Sequence, residues 1–168
     1  MTNIKFLIHL FILLLLQIMI LDNIQIHSYV YINIYILAIF ILPYRLRNAM
    51  ILFFGFFLGL FVDIANNTMG IHTLSTTLLA YMRPRLLMLT FNREQLDDVQ
   101  GKQKISEFSW FFKYVLVNTL IFNTVLISFE AFSFTNIGIT LLRIFWSSLF
   151  SVFFILLYYF IALKQKQS

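Results

Sequence analysis

Long, mostly apolar runs follow one another along this chain, and its charges are scattered, mostly in ones and twos. That pattern names the solvent before it names the fold. A helix crosses the hydrocarbon core of a bilayer with about 20 mostly apolar residues, within a range of roughly 17–25. Runs of this kind stand at 4–21, 29–43, 48–66, 70–89, 109–130 and 137–163. Of the 168 residues, 61% are hydrophobic and 11% are charged, against about 25% charged in an ordinary soluble domain. So few charges cannot clothe a water-facing surface. The expectation is an all-α integral membrane protein of one domain, 1–168, folded as a compact bundle of six transmembrane helices.

The first run follows Lys5 as the core of a secretory signal does, but no small-residue cleavage pattern comes after it. It reads as an uncleaved helix. The second run is the ambiguous one. Ile24, Ile26, Val30, Ile32, Ile34 and Ile36 alternate with polar or aromatic residues, and period two is a strand signature. A lone strand cannot lie in lipid, because its backbone groups would go unsatisfied. The reading is therefore an external extended stretch at 22–28, becoming helical where Leu37–Leu42 turns solidly apolar and ending at Pro43.

The net charge of +5 does not point to nucleic acid, which needs a basic patch on a folded surface. It carries topology instead, since Lys and Arg gather on the cytoplasmic side. With the amino terminus inside and six crossings, Lys5, Arg45, Arg47, Arg83, Arg85, Arg93, Lys102, Lys104, Lys113, Lys164 and Lys166 all fall inward. Arg143 is the exception, and both termini are cytoplasmic. The connection at 90–108 is expected to be a cytoplasmic loop, with Arg93 and Asp97 at i,i+4 suited to a short surface helix.

Polar groups within the runs are costly and are expected to face protein or water. Asp63 near the outer end of the third run has two readings: a carboxylate accepting backbone N–H groups at a helix junction, or one contacting a partner or ligand. Arg143, inside the last run, is expected to pair with Glu130 or Asp63. Thr140, Arg143, Ser147 and Ser151 form one helical stripe; Thr119, Asn123 and Glu130 form a second; His72, Ser75, Thr76 and Arg83 form a third. Such stripes line helix–helix interfaces more often than substrate paths. Gly55 and Gly59 make a GxxxG pair suited to close backbone approach.

Catalytic signatures are missing. The sequence has no HExxH, no G-x-S-x-G and no P-loop. It has no cysteine, which removes disulfides and thiolate chemistry. His9, His27 and His72 fall on different elements, so no catalytic, cofactor-binding or metal site is expected.

Residues 55–85, GFFLGLFVDIANNTMGIHTLSTTLLAYMRPR, carry a glycine-rich run ending in Gly59-Leu60-x-x-Asp63, a short turn, and Gly70-Ile71-His72 opening a helix that closes at Arg83-Pro84. A Leu-rich first helix with Gln17 precedes them. This arrangement resembles the rod shape-determining protein MreD family. The resemblance implies a non-enzymatic, multi-pass inner-membrane subunit of the bacterial cell-elongation and peptidoglycan-synthesis machinery. Members act with the single-span periplasmic protein MreC and the actin-like filament protein MreB, and through them with wall-synthesis enzymes. In that reading Gly55, Gly59, Asp63, Gly70, His72, Glu130 and Arg143 hold the bundle or meet a partner. Arg45, Arg47, Arg83 and Arg85 would form a basic inner rim beside anionic lipid or a filament; plain topology determination explains the same charges. Two rivals remain. One is the substrate-capturing membrane subunit of a vitamin-type transporter, with Asp63, Asn66, Asn67 and His72 lining an outward cavity. The other is an intramembrane enzyme using Asp63 and His72.

Overall fold

The computed structural model describes residues 3–21, 30–42, 46–90, 108–131 and 136–163. Among them the secondary structure is entirely helical. Helix α1 spans Asn3–Leu15 and continues in wider π-type turns over Leu16–Leu21. The remaining helices are α2, Leu37–Phe40; α3, Asn48–Asn66; α4, Ile71–Thr90; α5, Phe108–Ala131; and α6, Ile137–Tyr158, prolonged by π-type turns over Tyr159–Leu163. Helix α3 packs chiefly on α4, α4 on α5, and α5 on α6, while α1 meets the short α2.

Three of these helices are long and apolar enough to cross a membrane: Asn48–Asn66, Phe111–Ala131 and Ile137–Ala162; Leu7–Leu21 is a shorter apolar helix. This composition suggests a membrane protein. Helix α4 has the length, at 20 residues, but His72, a run of Ser and Thr, Arg83 and Arg85 dilute its hydropathy. The apolar side chains left outside, such as Phe53, Phe57, Phe61, Leu142, Phe145 and Phe153, are those expected of helices solvated by lipid.

The second run corrects the expectation. Over its described residues, 30–42, it is not one continuous helix; helix is confined there to Leu37–Phe40. Ahead of it, residues 30–34 run without helical structure into the middle of the bundle, and every residue from Ile32 to Phe40 is buried. The sequence pattern was strand-like, and the backbone behaves as a strand whose neighbours are side chains. On one edge, the Tyr31 N–H donates to Ser147 Oγ at 3.0 Å and the Asn33 N–H to Ser151 Oγ at 2.9 Å. On the other, Gln17 Nε2 donates to the Ile32 carbonyl at 2.8 Å and Gln17 Oε1 accepts from the Ile34 N–H at 2.9 Å. Lipid forbids open strand edges, but irregular backbone is tolerated at membrane depth where protein satisfies it. The external stretch expected at 22–28, Arg45, the loop expected at 90–108 beyond its first and last residues, and both extreme termini lie outside the described residues.

Candidate functional site

The hairpin of α3 and α4 is built on close approach. A Cβ added at Gly55 would sit 2.7 Å from Ala80 Cβ and 2.9 Å from the Thr76 carbonyl oxygen; at Gly59 it would overlap Thr76 Oγ1 and lie 2.5 Å from Thr73 Cα. No side chain fits at either position, so the two backbones touch. Between the helices the chain reverses at 67–70, with Asn67 left-handed at φ 53° and Gly70 at φ 84°. Nothing lies within 4 Å of a Cβ built on Gly70. Glycine is therefore required there by conformation and not by space.

Asp63 closes this turn. Its Oδ1 accepts from the Thr68 hydroxyl and from the His72 N–H at 3.1 Å; its Oδ2 accepts from the Thr73 N–H at 2.7 Å and the Thr73 hydroxyl at 2.5 Å. A carboxylate against the opening turn of a helix satisfies N–H groups that have no partner inside the helix. Both oxygens are occupied by the chain's own donors, and the residue is 4% exposed. This is the helix-junction geometry. His72 faces elsewhere: its Nδ1 lies 2.9 Å from the Tyr35 hydroxyl of the threaded segment, so Asp63 and His72 do not form an acid–base pair through their side chains.

The polar stripes of α5 and α6 meet around the same segment. Asn33 Nδ2 donates to Asn123 Oδ1 at 2.9 Å, and Asn123 Nδ2 donates to Ser148 Oγ at 3.2 Å. At the end of this seam Arg143 pairs with Glu130 at 3.0 Å. The Tyr31 hydroxyl donates to the other Glu130 oxygen at 2.7 Å and accepts from Arg143 at 3.2 Å. Of the two carboxylates weighed for Arg143, the structure pairs it with Glu130. At the far side of the segment His9 Nδ1 lies 2.9 Å from the Tyr158 hydroxyl, joining α1 to α6.

The basic rim is split. Arg47 and Arg85 are exposed, with Arg85 over the Tyr81 ring at 5.3 Å. Arg83 is not a rim residue: it is 3% exposed, and it donates to the Leu42 carbonyl at the end of the threaded segment. Its place in α4, two turns from the helix end and on the face toward α2 and α5, draws it inward.

Sequence reasoning missed Tyr31, Asn33 and Tyr35, and used Gln17 only as a family feature. The usable signal was the pairing of a lone amide in a Leu-rich helix with serines at i,i+4 on α6. Among the described residues no group of His, Asp or Glu is arranged to hold a metal ion. In comparisons with family models, curated proteins and solved structures, nothing matches this chain.

Proposed function

We propose that this chain is a non-catalytic, multi-pass scaffold subunit of the bacterial inner membrane, with cytoplasmic termini, serving the cell-elongation and peptidoglycan-synthesis machinery by docking an MreC-like single-span protein. The observation that carries this reading is the filled centre of the bundle. Residues 32–40, none more than 7% exposed, are packed among the helices. Ligand pockets are concave and present convergent polar groups; here Asp63, Gln17, Asn123, Ser147 and Ser151 spend theirs on the chain itself. Those facts favour a scaffold over a substrate-capturing subunit. They also disfavour an enzyme, since Asp63 and His72 serve separate internal contacts.

A rigid bundle of this kind acts through its outside. The α6 face carrying Phe145, Trp146, Leu149 and Phe153 is exposed, and it offers the aromatic surface that a partner's transmembrane helix would pack against. Indirect links to an actin-like filament and to wall-synthesis enzymes would follow through that partner. Co-purification in mild detergent tests the proposal. An MreC-like protein retained at constant stoichiometry supports it, and a clean monomer separating from that protein overturns it.

A further inference from the structure

We propose that the junction of α2, α4 and α5 is a binding site for a phosphate group, with Arg83 as its cation. A guanidinium presents five N–H donors in a planar fork. Arg83 is 3% exposed, yet one terminal nitrogen bonds the Leu42 carbonyl and Nε has no hydrogen-bond partner. Among the described residues the ion pair is Arg143 with Glu130, so neither described carboxylate, Asp63 or Glu130, answers Arg83. Buried charges in proteins are ordinarily paired. The Tyr114 phenol of α5 lies beside the guanidinium, which supplies a dipole but no counter-charge.

The surroundings select an anion with oxygens on a tetrahedral or planar face. The Nε–H, which has no protein partner, can donate to one oxygen of a phosphate group while the guanidinium supplies the opposite charge. One turn beyond Tyr114 on the same face of α5, Asn118 donates Nδ2 to the Tyr114 carbonyl at 2.7 Å. Its Oδ1 is buried without a donor, an acceptor suited to a hydroxyl carried by the ligand. Arg83 lies seven residues before Thr90, about 10 Å along the helix from that end. The exposed cations Arg47 and Arg85 flank the same end of the bundle and raise the local concentration of anions. A lipid headgroup and free phosphate share this chemistry. The lipid arm rests on the membrane reading; neither arm depends on the MreC-like partner.

The test is thermal unfolding of the full chain in neutral detergent, titrated with inorganic phosphate, with phosphatidylglycerol, and with sodium chloride at matched ionic strength. A saturable rise in the unfolding midpoint of about 5 °C or more is expected near a hundredfold excess over Kd. A rise with phosphate alone identifies the free ion as ligand, and a rise confined to phosphatidylglycerol identifies the lipid. Arg83→Gln should abolish the response, Arg83→Lys should weaken apparent affinity about tenfold, and Arg85→Gln, which removes only a flanking charge, should weaken it by less than Arg83→Lys does. The proposal is overturned if the wild-type chain responds to neither probe beyond the chloride control. It is equally overturned if Arg85→Gln loses as much as Arg83→Gln, which would mark diffuse surface attraction. Should Arg83→Gln not fold, the wild-type titration and the Lys variant still decide: a Lys variant that binds as tightly as wild type refutes the site.

Discussion

Replacing Gln17 by Met keeps the length of the side chain and makes it more apolar, a change that is neutral or favourable on a lipid-facing surface. The structure reverses that expectation. Gln17 is fully buried, and its amide is the partner of both the Ile32 carbonyl and the Ile34 N–H. A buried backbone group left without a partner costs about 1–3 kcal/mol, so losing both partners costs about 2–6 kcal/mol. For a chain of this size about 2–4 °C of midpoint accompanies each kcal/mol. Gln17→Met should therefore lower the midpoint in detergent by about 4 °C at least. Amide exchange locates the effect: the Ile34 N–H should lose protection while α4 keeps its own. A Gln17→Met protein that unfolds at or above the wild-type temperature, with Ile34 still protected, would show that the threaded segment does not depend on this clasp.

Gly59→Ala should destabilise by about 1–3 kcal/mol, because overpacking against the α4 backbone outweighs the roughly 1 kcal/mol gain in helix propensity. Gly138→Ala, where a new Cβ meets nothing within 4 Å, should be neutral or slightly stabilising, and denaturation midpoints of the two variants check the contrast. Arg143→Glu should cost about 1–3 kcal/mol, between the values for exposed and buried pairs. Adding Glu130→Arg should recover most of it, whereas adding Asp63→Arg should not, as read by surviving folded protein after a heat step.

Helices α3, α5 and α6 were legible because each is an apolar run of bilayer length bounded by charge or by a turn, and α4 because its 20 residues follow the Gly70 turn. Their bounds, such as Asn48–Asn66, fall where composition changes. The α3–α4 hairpin was equally open to reading, since GxxxG, Asp63 and Gly70 act within a short stretch. The threaded segment was half legible. Its alternation announced extended backbone, but the partners that make such backbone tolerable lie far away, at Gln17, Ser147 and Ser151. A local pattern cannot say that a serine on α6, 116 or 118 residues later, will stand in for a neighbouring strand. Arg83 was misread for a related reason. Counting positive charge by side of the membrane says which end a cation occupies and not whether its helix turns it inward onto the Leu42 carbonyl.

The threaded segment also sets an order of assembly. Tyr31 and Asn33 are fastened by serines 116 and 118 positions downstream. At a synthesis rate of about 5–20 residues per second, roughly 6–24 s separate their emergence from that of the serines. During this interval α1 and Gln17 can hold only one edge, and the other stays open until the last helix arrives. The carboxy-terminal helix is thus the latch of the molecule, and a nascent chain stalled before it would present an uncapped strand edge to whatever membrane factor is nearest.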